Sequence, residues 1–179
     1  MPNTHSQPQR AYGPAQQGFQ GRINESSHGS IDAIRLLRAD HKEVEALFEV
    51  YERLRSASRK RMITDRICML LEVHMQIEEE IFYPMVRRML QLDDLLEEAV
   101  ADHVSARELI AQIREDDPED PFFDARVIVL GEYMQRHVKE EHRELFPRVD
   151  SSRIDTVALG KRMQARKDQL MAGYSVRVD

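Results

Sequence analysis

The stretch HMQIEEEIFYP, His74 to Pro84, returns in altered form as HVKEEHRELFP, His137 to Pro147. In each copy a glutamate follows the histidine by four residues (Glu78, Glu141) and a proline follows it by ten (Pro84, Pro147). Residues four apart share a helix face, with Cβ atoms about 5–6 Å apart. Each copy can therefore send one imidazole nitrogen and one carboxylate oxygen towards the same interior point. Two more histidines precede the copies, each behind an aspartate, as Asp40-His41 and Asp102-His103. The intervals from His41 to His74 and from His103 to His137 differ by one residue, so the second half reads as a copy of the first.

Apolar residues around these histidines recur at three-and-four spacing, which predicts helices with one face turned inward. The stripes run Ile34, Leu37, His41, Val44, Phe48, Tyr51; then Ile63, Ile67, Leu70, His74, Ile77, Glu78; then Leu96, Ala99, His103, Ala106, Ile110; then Val127, Leu130, Met134, His137, Glu141. The second helix is expected from about Arg59 to Met89, with Ser30 or Asp32 capping the first. Short connections make consecutive helices antiparallel, so the fold class is all-α, an up-down-up-down four-helix bundle. Residues 1–28, rich in Gln, Pro, Gly and Ser, read as a disordered tail; 29–149 form the bundle; 150–179 hold a fifth helix and a tail. That helix, over 151–172, carries Lys161, Arg162, Arg166 and Lys167, read as a solvated basic face on a helix packed against the bundle.

Composition narrows the function. With 26 Lys and Arg against 32 Asp and Glu, the net charge of -6 argues against general binding to nucleic acid or anionic membrane. No run approaches the roughly 20 apolar residues needed to span a bilayer, and the first thirty residues lack the apolar run of a signal peptide. A cytoplasmic location is expected, and the single cysteine, Cys68, fits it and excludes a disulfide framework or a thiolate cage.

Four imidazoles and two carboxylates in one core would cost several kcal/mol per ion without a counter-charge, and a pair of metal ions supplies it. Mixed nitrogen and oxygen donors with open positions suit non-haem iron. A ferritin-like site needs Glu-x-x-His, whereas Arg38, Leu71, Val100 and Met134 stand three residues before the histidines. With the metal removed, Glu78 and Glu141 are expected to face each other, with burial favouring their protonation.

The order of Asp-His, His-x-x-x-Glu with a following aromatic-Pro, a second Asp-His and a second His-x-x-x-Glu resembles the haemerythrin-like (HHE cation-binding) family over residues 31–149. The resemblance implies an oxo- or hydroxo-bridged centre of two iron ions, with His41, His74, Glu78, His103, His137 and Glu141 as metal ligands and the glutamates bridging. Oxygen carriers of that family place a fifth histidine where this chain has Arg107, and an aspartate five residues after the last histidine where Glu141 stands four after His137. The resemblance therefore points away from reversible carriage. It points towards reaction with oxygen, peroxide or nitric oxide, the alternative being a metal- or redox-responsive interaction module without turnover.

Other residues receive structural readings. Glu45 and Arg107, each four after a first-half or second-half histidine, are taken as an ion pair or as solvated flanks, with Glu45 as an extra ligand a lesser option. Tyr133 is read as packing ahead of hydrogen bonding to the site, Tyr83 as facing away from the ligands, and His142, Glu79, Glu80 and Glu140 as outer-face residues. Pro84 and Pro147 are expected to end the second and fourth helices, and Cys68 to be an inert core thiol.

Overall fold

The computed structural model describes residues 32–175, so the tail read over 1–28 lies outside the described residues. All regular structure among them is helical: α1 (Ala33–Arg53), α2 (Ala57–Ile77), α3 (Tyr83–Leu90), α4 (Asp93–Glu115), α5 (Pro121–Glu140), α6 (Phe146–Asp150) and α7 (Thr156–Ser175). Single π-helical turns, Glu78–Phe82 and Glu141–Leu145, join α2 to α3 and α5 to α6 without a break. The result is an up-down-up-down bundle in which α1 pairs with α2 and α4 with α5, and the additional helix α7 packs across α1 and α2. No described helix is long and apolar enough to cross a membrane.

Local chemistry sets the helix ends. Asp32 caps α1 by accepting from the Arg35 N–H at 3.1 Å, as expected of it, and Ser30, the other expected cap, lies outside the described residues. Pro121 opens α5 behind Asp120, whose carboxylate accepts from the Phe122 N–H at 2.8 Å. Gln91 takes a left-handed conformation, φ 53°, at the end of α3. The inward stripes bury as their spacing predicts, from Ile34 and Leu37 through Ile67 and Leu96 to Val127 and Leu130. Cys68 is buried among them, and burial pushes its thiol up to about 12, so it stays a protonated core group.

Pro84 and Pro147 do not end their helices. Each sits second in the α-helix after a π turn, and the chain continues helically to Leu90 and Asp150. A proline ring crowds the carbonyl four residues back and offers it no N–H. The wide turn relieves both problems, because the Tyr83 N–H bonds to the Glu78 carbonyl and the Phe146 N–H to that of Glu141, five residues back.

The basic residues of α7 are not simply solvated. Lys167 pairs with Asp40, both largely buried, and Arg166 holds Glu80 through two hydrogen bonds of 2.7 and 3.0 Å. These pairs tie α7 to the bundle beside the core histidines.

Candidate metal centre

Each helix of the bundle delivers one histidine, and the two π turns begin with the glutamates, so all six residues predicted from the spacing meet in the middle of the core. They are 0–7% exposed. His41 Nε2 lies 3.0 Å from His74 Nε2, and His103 Nε2 lies 3.2 Å from His137 Nε2. Glu78 Oε2 stands between the pairs, 3.2 Å from His74 Nε2 and 3.4 Å from His103 Nε2. Glu141 Oε2 does the same, 3.3 Å from His41 Nε2 and 3.6 Å from His137 Nε2. Two donor groups result, His41 with His74, Glu78 and Glu141, and Glu78 with His103 and His137, the donor atoms of each lying within 4.8 Å of one another.

This donor set suits a pair of cations. Glu78 Oε1 and Glu141 Oε2 are buried without a hydrogen-bond partner, a costly state for carboxylate oxygens unless a charge compensates it. Around Glu78, burial alone would favour the neutral acid, but His74 and His103 outweigh it and hold the carboxyl well below its ordinary range. Burial likewise disfavours a charged His74, and the Glu78 charge with Asp40 overcomes it and raises the imidazole's pKa. His103 is raised in the same way, whereas burial lowers His137. The expectation that burial protonates the carboxylates is thus corrected for Glu78: His74 and His103 stand against it, and their imidazoles rather than Glu78 hold the protons.

A second layer of polar groups meets the outer nitrogens. Asp40 Oδ2 is 3.6 Å from His74 Nδ1 and Asp102 Oδ2 is 3.8 Å from His137 Nδ1; Lys167 holds Asp40 and Arg136 holds Asp102. His103 Nδ1 donates to Glu79 Oε1 at 2.8 Å, and Arg107 donates to the same oxygen at 2.8 Å. Glu79 is therefore no outer-face charge, and Arg107 pairs with it rather than with Glu45. His142, expected to be exposed, is half-buried with Nε2 3.0 Å from His41 Nδ1. Burial, with His41 and Arg38 beside it, lowers its pKa. Tyr133 packs under the Arg136 guanidinium, 5.0 Å from the ring centre.

Tyr83 is the main correction. Its hydroxyl donates within reach of Glu141 Oε1 at 3.0 Å and Glu78 Oε2 at 3.2 Å, and lies 3.4 Å from His103 Nε2. On an uninterrupted α-helix, at about 100° per residue, position 83 is opposite His74 and about 140° from Glu78. The π turn absorbs one extra residue, which brings Tyr83 to about 40° from Glu78, over the core.

The π turns also give the two halves matching geometry with different chemistry. Tyr83 and Phe146 both stand nine residues after a core histidine. Tyr83 stacks on His103 at 5.6 Å, and Phe146 on His41 at 5.9 Å. Glu79 and His142, each five after a core histidine, occupy the other matched place. One flank of the centre thus carries a carboxylate and a phenol, the other an imidazole and a phenyl ring.

Residues 32–149 match the family described as the Hemerythrin HHE cation binding domain. The fold is shared with the crystal structure of a Hemerythrin HHE cation binding domain-containing protein from Mycobacterium kansasii, with a TM-score of 0.71 at 20% identity over 82% of this chain and 93% of that one. Over 111 residues the chain is 29% identical to a protein of Nostoc sp. described as a DNA nickase. That match takes in 62% of this chain and 31% of the relative, so the chain spans about a third of the relative's length.

Proposed function

Because the chain belongs to the haemerythrin HHE cation-binding family, we propose that its duplicated core holds two non-haem iron ions that react with oxygen, peroxide or nitric oxide. The observation that carries this reading is the convergence of four Nε2 atoms and two carboxylates, all buried, with carboxylate oxygens that nothing else satisfies. His41 and His74 would hold one ion and His103 and His137 the other, with Glu78 and Glu141 shared between them. When bound, the iron pair supplies electrons and Lewis acidity for the reduction of a small oxidant.

The chain's own residues prepare that reaction. Glu79 and His142 hold the His103 and His41 rings from behind by hydrogen bonds, which orients their inner nitrogens and sets their basicity, while Asp40 and Asp102 place a charge beside the outer nitrogens of His74 and His137. Burial with Glu141 and Glu78 nearby raises the Tyr83 pKa far above its usual value, so the phenol keeps its proton at neutral pH. That proton stands on the hydroxyl between the two carboxylates, where it can be passed inward. Phe82 and Phe146, fully buried, pack against Tyr83 and His41 and make that part of the core apolar. Tyr83→Phe should leave metal content unchanged and slow oxidation of the reduced protein by about 100-fold, the lower end of the range for a positioned proton donor. Stopped-flow absorbance after mixing with peroxide measures it, and wild-type rates in the variant would remove Tyr83 from the mechanism.

Anaerobic loading with ferrous iron, then separate exposure to oxygen, peroxide and nitric oxide with optical readout, tests the proposal. Two irons per chain and a spectral response to at least one of the three are expected; a protein that retains no iron after desalting overturns it. The nicking activity in the Nostoc relative's description is not carried over, since a net charge of -6 repels a phosphate backbone.

The contact from Lys167 to Asp40 to His74 favours a second reading, in which metal occupancy is relayed to α7. Lys167→Ala leaves a buried carboxylate short of its partner and should destabilise the protein by about 1–3 kcal/mol. Amide exchange in α7 should slow on metal loading in the wild type and respond less in the variant. Identical exchange with and without metal would dismiss the relay.

A further inference from the structure

A cavity of about 470 Å³ runs between α1 and α5 and reaches the core at His41 and His74. Along it α1 presents His41, Glu45, Glu49 and Glu52, spaced by four, four and three residues. Such spacing stacks side chains on one helix face, so a ladder of carboxylates descends to an imidazole. Glu132 faces it from α5, and none of the described residues lining the cavity is a lysine or arginine.

Like charges one turn apart repel, and little here offsets them. Glu49 meets Arg53 at 3.7 Å with both side chains mostly exposed, and Glu45, Glu52 and Glu132 form no ion pair among the described residues. At the inner end the wall includes Asp40 and His74, 7% and 2% exposed, whose Oδ2 and Nδ1 atoms lie 3.6 Å apart with no hydrogen-bond partner, Lys167 being paired with the other Asp40 oxygen. Val44, Phe48, Val127 and Ile128 make the remaining wall apolar. A cleft of one charge sign with low-dielectric walls focuses the field and raises the on-rate of an oppositely charged ion by about 10- to 1,000-fold. The volume also admits an ion with its water shell, each water taking about 30 Å³. On the other side of the core, beside His137 and Glu141, the free volume is only about 10 Å³.

We propose that this groove is the loading track for hydrated divalent cations, which pass along Glu52, Glu49, Glu45 and Glu132 to His41 and His74 and from there to the inner pair. The inference rests on the di-iron reading of the core.

Cobalt(II) uptake by the metal-free full chain, followed by its visible absorption in a stopped-flow instrument at low and high salt, tests it. In the variant Glu45→Gln/Glu49→Gln/Glu52→Gln/Glu132→Gln the low-salt rate should fall about tenfold or more and lose its salt dependence, with the final cobalt content unchanged. The control Glu97→Gln/Glu98→Gln/Glu108→Gln/Glu115→Gln makes the same change in net charge on exposed positions of α4 and should load at close to the wild-type rate. An unchanged rate in the groove variant, or equal slowing in the control, overturns the track while leaving the di-iron reading in place. Lower final cobalt in the groove variant also overturns it, by making those glutamates ligands. A wild-type chain that takes up no cobalt overturns both readings.

Discussion

Glu78→Ala should empty both halves of the metal centre at once. Glu78 belongs to both donor groups, and its Oε2 lies within 3.4 Å of a histidine nitrogen from each. On the proposed two-ion reading, removing it would take a charged oxygen from each ion, so the loss of affinity should exceed the about 10- to 100-fold that follows removal of a supporting hydrogen bond. By comparison, His74→Ala and His137→Ala each strip one nitrogen from one ion and should remove at least one iron. Metal analysis after anaerobic loading and desalting reads all three, with circular dichroism as the check on folding. Two irons retained by Glu78→Ala would show that the carboxylate does not join the two groups.

Metal removal should lower the melting temperature, and the deficit should widen as pH rises above neutral. A ligand that binds only the folded chain stabilises it by about 2.7 kcal/mol at 100 times its Kd and about 4.1 at 1,000 times, which for a chain of this size is about 5–16 °C. The pH dependence comes from the metal-free state. His74 and His103 have raised pKa values when folded, so their stabilisation is complete below the unfolded value near 6.5 and is lost as pH climbs through the folded values. Glu78, depressed, contributes above its unfolded value and fails only in acid. Metal ions held by His74 and His103, as proposed, would replace those imidazole protons, so the alkaline loss should disappear in the loaded protein. Scanning calorimetry of both forms between pH 6.5 and 9 measures the gap; a constant or narrowing gap would contradict the assignment of the protons to histidine.

The inward stripes and the six core residues were legible because both rest on α-helical spacing, which holds through Ile77 and through Glu140. What followed was hidden because each π turn begins at a core glutamate and has shifted the residues beyond it by about 100°, so Tyr83 was placed on the wrong face. Glu79 and His142 lie inside the turns and touch rings of other helices, which spacing along their own helix does not report. One signal was present: Pro84 sits inside an apolar pattern that continues to Leu90, and a proline there needs relief from the turn before it. Lys167 was hidden differently, since no periodicity reports that a lysine of a later helix will reach Asp40.

The matched places behind the two halves make the chain its own reference compound. Tyr83 and Phe146 differ by one oxygen atom and occupy equivalent stations over His103 and His41. Exchanging them, Tyr83→Phe with Phe146→Tyr, conserves composition, volume and charge and moves only the side from which a proton arrives. Any change in rate or spectrum would then report handedness within the centre, a property that single replacements confound with the loss of the group.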